Sequence, residues 1–298
     1  MKCKKNFSKQ TEGLNLTNNY ILSLDTKNNN LELTIENISV ENEKILQEIY
    51  GDAISIIRDD KLSVNNNIEH QAFKARTSDF NSQGAGIGIQ TKFSQNRKNY
   101  THQCSTAGVA QKGSDLWVIT AGHCDDYSKT FYQYGSVLGS THLDAFASDY
   151  DFLLIKVNDS PLKRYASNGL YSVSADSSTG YDSKLTGSFS QYEGLRVCKV
   201  GVKTNKTCGV VTKKRYQSGS FYTGLVYFEV ENEGQVVSSA GDSGGAWYTQ
   251  SLPYRLVGIH AAGNTETNST KALVTPWVEV SEKYNLTLYT SDSTSPMN

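Results

Sequence analysis

Long apolar runs, prolines and an excess of charge of either sign are all missing from this chain of 298 residues. No stretch approaches the roughly 18 consecutive apolar residues that a membrane-spanning helix requires, which argues against a membrane protein. The 29 basic and 30 acidic residues give a net charge of -1, so no overall field attracts nucleic acid or an anionic membrane. Four prolines beside 24 glycines and 18 tyrosines exclude collagen and favour a soluble, β-rich protein.

Cysteine is scarce as well, because five residues are too few for a disulfide scaffold. Four of them nevertheless form two locally spaced pairs, Cys104 with Cys124 and Cys198 with Cys208. We expect two disulfide bridges, with Cys3 left over. Bridges imply an oxidising compartment and therefore a secreted protein, although the polar residues 6–19 do not resemble the apolar part of a signal peptide.

Residues 20–58 have the pattern of a small α+β unit. Two runs rich in leucine and isoleucine, separated by an asparagine-rich turn, predict a β-hairpin over residues 20–35. Ser39 is a good N-cap for a following helix, which carries an apolar stripe and ends at Gly51. A short β-branched strand completes a β-β-α-β unit. The polar stretch that follows, about 59–83, is predicted to be a linker.

The chain from residue 84 onward is predicted to be mainly β. Short β-branched and aromatic runs alternate there with Gly, Asn, Asp and Ser, as is typical of an all-β barrel or sandwich. The clearest of these runs are 116–120, 152–157, 226–230 and 256–259. Only residues 278–284, after Pro276, have a helical pattern. We therefore divide the chain into residues 1–83 and a β domain of residues 84–298.

Three segments of the β domain carry the chemistry: TAGHC at 120–124, DYDFLLI at 149–155 and GDSGG at 241–245. A serine hydroxyl needs an imidazole to take its proton and a carboxylate to orient that imidazole, and the three segments supply these groups in the order His, Asp, Ser. The glycines around Ser243 let the backbone turn tightly and aim N–H groups at a developing oxyanion. The N–H groups of Gly241 and Ser243 are the predicted donors.

TAGHC and GDSGG, in this order, resemble the motifs of chymotrypsin-like serine peptidases, specifically the bacterial streptogrisin and alpha-lytic protease branch. Residues 197–209 are similar to a local disulfide loop of that branch, and residues 275–288 to its C-terminal helix and final strand. The resemblance covers about 84–290. It implies two six-stranded antiparallel β-barrels with a C-terminal helix. It also implies an endopeptidase that works through an acyl-enzyme without a cofactor or a metal.

The resemblance also implies roles for individual residues. Ser243 would be the nucleophile and His123 the general base. Asp151 fits the orienting acid better than Asp149, since the family has this acid directly before an apolar run that ends in a basic residue, here Lys156. Asp149 remains the alternative.

Asp242, next to the nucleophile, resembles a structural acid of the family. The bacterial branch neutralises it with an arginine that follows a cysteine, and Lys199 stands at that position in this chain. A lysine cannot reproduce the planar fork of arginine, so the neutralisation of a buried Asp242 is open at this point.

The specificity pocket is inferred from the same resemblance. Six residues before the nucleophile stands Val237, which offers no charge to a Lys or Arg side chain. His260 resembles the histidine with which glutamyl endopeptidases bind a substrate carboxylate, and Ser238 would assist it. A partly protonated imidazole suits this task because its ordinary pKa is about 6.5. Ala240 and Gly263 complete the predicted pocket, and a preference for small apolar residues is the alternative.

Residues 20–58 resemble, in order and size, a folding unit in the pro-regions of that branch. The chain would then be a zymogen, cleaved between about 75 and 92, and the alternative is an independent adaptor domain. Expected partners are a protein or peptide substrate and the chain's own pro-region, with the enzyme acting as a monomer.

Two alternative interpretations of the chain remain. One is a catalytically silent, protease-like binding protein. The other is a zinc site at His102, Cys104, His123 and Cys124, whose spacing matches no common structural zinc site.

Overall fold

The computed structural model describes residues 20–25, 30–35, 38–58, 75–146, 149–158, 163–172, 181–219, 225–264 and 267–297. Cys3 lies outside these ranges. The strands are β1 (Tyr20–Asp25), β2 (Asn30–Ile35), β3 (Ile54–Arg58), β4 (Ser82–Gln95), β5 (Lys98–Lys112), β6 (Asp115–Thr120), β7 (Thr130–Gln133), β8 (Ser136–Asp144), β9 (Leu153–Val157), β10 (Tyr165–Leu170), β11 (Ser183–Lys184), β12 (Arg196–Gly201), β13 (Asn205–Gly219), β14 (Val226–Glu231), β15 (Ala246–Thr249), β16 (Leu256–Gly263), β17 (Lys271–Pro276), β18 (Thr287–Leu288) and β19 (Ser295–Pro296). The α-helices are α1 (Val40–Tyr50) and α2 (Trp277–Tyr284).

The first half of the β domain is a closed six-stranded barrel. Its strands pair in the ring β4-β5-β6-β9-β8-β7, and β7 returns to β4. Every pairing in the ring is antiparallel. Buried β-branched and aromatic side chains such as Ile89, Val118, Phe131 and Ile155 fill the interior. Closure leaves the barrel without a free sheet edge, as expected for an antiparallel sheet that covers its apolar face.

The second half forms another closed ring, β12-β13-β14-β17-β16-β15, in which β15 pairs again with β12. Its interior contains Val197, Phe228, Trp247 and Val257. The large core of the first barrel extends to residues of the second, including Val200, so the two barrels pack against each other. The prediction of a mainly β fold with two six-stranded antiparallel barrels and a C-terminal helix is confirmed.

The N-terminal unit follows the predicted order β1, β2, α1, β3. Ser39 caps α1, because its side-chain oxygen accepts a hydrogen bond from the N–H of Asn42 at 3.1 Å, and Gly51 ends the helix with a positive φ of 53°. Leu33 and Leu46 are among the buried residues of its own small core. The turn predicted between β1 and β2 lies outside the described residues.

The N-terminal unit joins the second barrel through one strand. β1 pairs antiparallel with the end of β13, beginning at Tyr20 opposite Gly219, and the barrel sheet therefore continues into β1, β2 and β3. A half-buried ion pair lies beside this junction, where the Lys213 ammonium contacts the Glu32 carboxylate. The same ammonium lies 3.9 Å from a carboxylate oxygen of Glu229.

The end of the predicted linker is part of the first barrel instead. Arg76 is buried, and its guanidinium donates to the carbonyl oxygens of Gly86 at 3.0 Å and Tyr171 at 2.9 Å. The guanidinium carbon also lies 4.1 Å from the centre of the Tyr171 ring. Asp79 forms an ion pair with the buried Arg164 at 2.5 Å. Polar composition predicted a solvated segment here, whereas these polar side chains satisfy groups inside the barrel.

Both predicted cysteine pairs are disulfide-bonded. Cys104–Cys124 joins β5 to the short 3-10 turn after β6, and Cys198–Cys208 joins β12 to β13. In the described part of the chain, none of the helices combines the length and the apolar character needed to cross a membrane.

Candidate active site

His123 and Asp151 meet at one end of the first barrel. His123 lies in the 3-10 turn that follows β6, and Asp151 directly precedes the apolar run that becomes β9. Their side chains are buried, and His123 Nδ1 lies 2.8 Å from Asp151 Oδ2. The backbone N–H of His123 donates to the other carboxylate oxygen at 3.0 Å. This two-point contact fixes the ring and assigns the Nδ1 proton to the side of the carboxylate.

Asp149 occupies a different position. Its carboxylate pairs with Lys283 of α2, and both side chains are exposed. The carboxylate that contacts the imidazole is therefore that of Asp151 and not that of Asp149.

The charge of Asp151 also acts on the protonation of His123. Burial works against a charged imidazole, but the adjoining Asp151 carboxylate outweighs it, and the pKa of His123 lies above its ordinary value. The raised pKa means that the protein stabilises the imidazolium, the form produced when this ring takes a proton. The atom available for that task is Nε2, which is buried and has no hydrogen-bond partner within the described ranges.

The loop that carries Ser243 lies against the segment that leads to His123. The N–H of Ser105, in β5, donates to the Ser243 carbonyl at 2.7 Å. Gly244 follows with a φ of 83°, and a Cβ atom at this position would lie 2.1 Å from Thr120 Oγ1. Only glycine fits such an approach. The second barrel thus presents Ser243 at the junction where the first barrel presents His123 and Asp151.

The N–H groups of Asp242, Gly244 and Gly245 all donate within the protein, that of Asp242 to the carbonyl of Ser239 at 3.0 Å. The N–H of Gly244 donates to the carbonyl of His260 at 2.8 Å, and that of Gly245 to the carbonyl of Asp242 at 2.9 Å. The carbonyl of Gly241 accepts from Ser105 Oγ at 3.0 Å, which fixes the orientation of the following peptide unit. The assignment of Gly241 and Ser243 as oxyanion donors is compatible with this pattern and stays a prediction.

Lys199 contacts the Asp242 carboxylate, where the resemblance leads us to expect an arginine, and Thr204 contacts the same carboxylate. Lys199 Nζ lies 2.5 Å from Asp242 Oδ2, and both side chains are fully buried. The Thr204 hydroxyl donates to the same oxygen at 2.6 Å, and the N–H groups of Lys203, Thr204 and Ser239 add further bonds at 2.9, 3.1 and 3.0 Å. Burial opposes the charge of Asp242, but the Lys199 ammonium together with the other groups around the carboxylate, among them the Thr204 hydroxyl, outweighs burial and lowers the pKa of the carboxyl.

His260 lies on β16, beside the Ser243 loop, and is fully buried. The indole N–H of Trp247 donates to His260 Nδ1 at 3.3 Å, and His260 Nε2 is buried without a partner in the described structure. Burial, reinforced by the Lys199 ammonium, lowers the pKa of His260 to about 3. The expectation of a partly protonated imidazole is therefore wrong, because a ring that has lost its hydration disfavours the charged form.

The other predicted pocket residues are apolar or small. Val237 belongs to the interior of the second barrel, next to Trp247, and brings no charge. Ser238 is buried and exchanges backbone hydrogen bonds with Ser269 at 3.3 and 2.9 Å. Ala240 is buried, and Gly263 ends β16.

Three residues that position the site did not stand out in the sequence. Ser105 holds the Ser243 loop, Thr204 shares the charge of Asp242, and Trp247 contacts the imidazole of His260. Each acts across a distance in sequence that no local motif records. Cys104 and Cys124, which the zinc reading used as ligands, are bonded to each other.

Comparison with known proteins gives a consistent result, although no protein-family model matches the chain. Glutamyl endopeptidase 2 of Streptomyces griseus is 28% identical over 193 residues, which cover 63% of this chain and 93% of that protein.

Two solved structures share the fold. One is a glutamic-acid-specific serine protease described as using a histidine triad in substrate binding; it is 22% identical, with 69% of this chain and 99% of that chain covered and a TM-score of 0.51. The other, protease A of Thermobifida fusca, is 20% identical, with coverages of 70% and 100% and a TM-score of 0.51. The two barrels, the His, Asp and Ser segments and the Streptomyces relative agree, and together they support a chymotrypsin-like serine peptidase of the streptogrisin branch.

Proposed function

We propose that Ser243, His123 and Asp151 are the catalytic triad of this endopeptidase. The observation that carries the proposal is the two-point contact between the Asp151 carboxylate and His123, at 2.8 Å to Nδ1 and 3.0 Å to the backbone N–H. This contact leaves Nε2 as the proton acceptor. A histidine held in this tautomer is what a serine nucleophile requires.

The reaction follows from these groups. Ser243 Oγ attacks the carbonyl carbon of the scissile peptide bond while His123 Nε2 takes the hydroxyl proton, and Asp151 stabilises the resulting imidazolium. The N–H groups of Gly241 and Ser243 bind the oxyanion of the tetrahedral intermediate. His123 then protonates the leaving amine, which gives the acyl-enzyme. A water molecule, deprotonated by the same imidazole, attacks the ester, and the serine leaves with the proton.

We further propose that the enzyme cleaves after acidic residues, with His260 as the group that contacts the substrate side chain. The relative named a glutamyl endopeptidase supports this proposal, as does His260 Nε2, which has no partner among the described residues. Among the described residues, the group that bonds the His260 ring is the Trp247 indole N–H, which donates to Nδ1 at 3.3 Å, and no second histidine does so. One histidine would therefore do this work.

Peptide hydrolysis by variants tests the triad. Ser243→Ala should remove activity with the fold intact, and Asp151→Asn should lower kcat by about 10⁴-fold because asparagine favours the wrong imidazole tautomer. Asp149→Asn is the matched control and should leave kcat unchanged. Full activity of Ser243→Ala, or equal losses in the two aspartate variants, would contradict the assignment. A library of peptides that differ only before the scissile bond tests specificity, since His260→Ala should remove cleavage after Glu.

We infer that the enzyme is secreted as a zymogen whose N-terminal unit is a pro-region. Its separate core and the limited pairing that the described residues make with the barrel, through β1, support a removable unit, and the two disulfides support an oxidising compartment. The buried contacts of Arg76 favour processing near the N-terminal end of the expected 75–92 range, since later cleavage would remove this side chain from the barrel. The intact mass of the active enzyme should therefore include Arg76, and a mass that begins at residue 84 or later would refute this boundary.

A further inference from the structure

We propose that the specificity pocket recognises a side-chain oxygen that accepts a hydrogen bond, rather than a negative charge, and that Trp247 is the positioning residue that prepares His260 for this contact. The enzyme would then cleave after glutamine as well as after glutamate. This inference rests on the proposed place of His260 in the pocket. It adds a second substrate class and a residue with a defined role.

The first step concerns the tautomer of His260. An indole N–H can only donate a hydrogen bond, so the His260 Nδ1 that lies 3.3 Å from Trp247 Nε1 must accept, and the proton of the neutral ring resides on Nε2. Trp247 is itself held in place. It is fully buried in the core of the second barrel, and its strand pairs with β16 through Gly258.

The second step concerns the Nε2–H group. It is buried and has no acceptor among the residues described, although buried donors are almost always paired. The backbone of His260 is tied to the nucleophile loop on both sides, because its N–H donates to Gly245 and its carbonyl accepts from Gly244, each at 2.8 Å. A donor fixed beside Ser243 and left without an acceptor is suited to a side chain of the substrate.

The third step concerns charge. The titratable groups whose charges act on His260 are Lys199, Asp242 and His123. Lys199 and Asp242 neutralise each other at 2.5 Å. The pKa of His260, lowered to about 3 by burial, leaves the ring uncharged at neutral pH. An uncharged N–H donor binds the carbonyl oxygen of glutamine as readily as a carboxylate oxygen that must first lose its hydration.

Three peptides that differ only in Glu, Gln or Met before the scissile bond test the proposal on the active enzyme obtained from the full chain. We expect kcat/KM for Glu and Gln within about tenfold of each other, and a far lower value for Met, which has no oxygen acceptor. Trp247→Phe keeps an aromatic ring but removes the N–H. It should lower kcat/KM for both Glu and Gln by about three- to tenfold and leave the Met value unchanged.

Trp277→Phe is the matched control. Trp277 also donates its indole N–H, but to Ser188 Oγ at 2.9 Å and not to a histidine. Its loss should not change the ratios between the three peptides. A general loss of stability would affect all substrates alike, whereas loss of the His260 tautomer affects only those with an oxygen acceptor.

Nitrogen-15 NMR of the histidine side chains reads the tautomer directly in the wild-type enzyme. The signals of His260, identified by their absence in His260→Ala, should place the proton on Nε2 in the wild-type enzyme. A proton on Nδ1, or a ring protonated at pH 7, would overturn the proposal. So would a preference for Glu over Gln above about 100-fold, which a charged donor would produce. Cleavage only after apolar residues, unaffected by His260→Ala, would instead refute the proposed place of His260 in the pocket.

Discussion

Asp242 carries a full charge in the interior, one residue before the proposed nucleophile, and its environment explains how. The Lys199 ammonium, the Thr204 hydroxyl and three backbone N–H groups all contact this carboxylate. These contacts replace the hydration that burial removes. They also fix the Ser243 loop, because the bonds to Lys203 and Thr204 tie it to the turn between β12 and β13.

Replacing Lys199 should therefore be costly. Lys199→Met leaves a buried carboxylate without its counter-charge, and we expect the free energy of unfolding to fall by about 3–5 kcal/mol, with a loss of peptidase activity. Urea unfolding and kcat/KM measure the two effects. Lys184→Met is the control, since the Lys184–Asp292 pair is exposed and such pairs contribute little. Equal stability losses in the two variants would show that the buried pair has no special role.

At the scale of elements, the strands and helices with local signals were predictable from the sequence. The Ser39 cap and Gly51 stop mark α1, and alternating apolar runs mark β6, β9 and β14, because these signals depend on neighbours in the chain. The segment around Arg76 was not predictable in this way. Its guanidinium bonds a carbonyl 95 residues away, and no local pattern distinguishes this from a solvated arginine.

The candidate site likewise contains residues with local signals and contacts that depend on residues distant in the chain. The His, Asp and Ser segments were recognisable because the chemistry requires these residue types in short motifs. The choice between Asp149 and Asp151 depends on the pairing of β6 with β9, which places Asp151 against His123. This pairing cannot be read from the local sequence. The Trp247–His260 contact joins adjacent strands of a barrel, and its consequence for the tautomer has no signature in the sequence.

For the whole molecule, buried histidines predict sensitivity to acid. Burial lowers the pKa of His102 to about 4 and that of His260 to about 3, whereas both rings titrate near 6.5 in an unfolded chain. The unfolded state therefore binds more protons between these values. The stability that the neutral rings contribute is fully present above pH 6.5 and is lost as the pH falls towards 4. Asp126, whose pKa burial raises to about 6, offsets part of this effect. His123, whose pKa is raised, contributes stability that is lost as the pH rises above 6.5.

We thus expect the free energy of unfolding to fall between pH 6.5 and pH 4, at roughly 1.4 kcal/mol per pH unit for one net proton, and the urea midpoint to fall with it. His102→Gln removes one of the two responsible groups and should make the dependence shallower. A midpoint that stays constant over this range, or a variant with the same slope as the wild type, would argue against the neutral buried rings.

The pairing of β1 with β13 has a consequence for the order in which the molecule can assemble. Its partners, Tyr20 and Gly219, lie roughly 200 residues apart in the chain. Closing so long a loop is slow, and during synthesis the N-terminal unit emerges well before the strand that it joins. The edge of β1 that pairs with β13 therefore stays unpaired until β13 has been synthesised. The contact between the N-terminal unit and the second barrel is thus expected to form late in assembly.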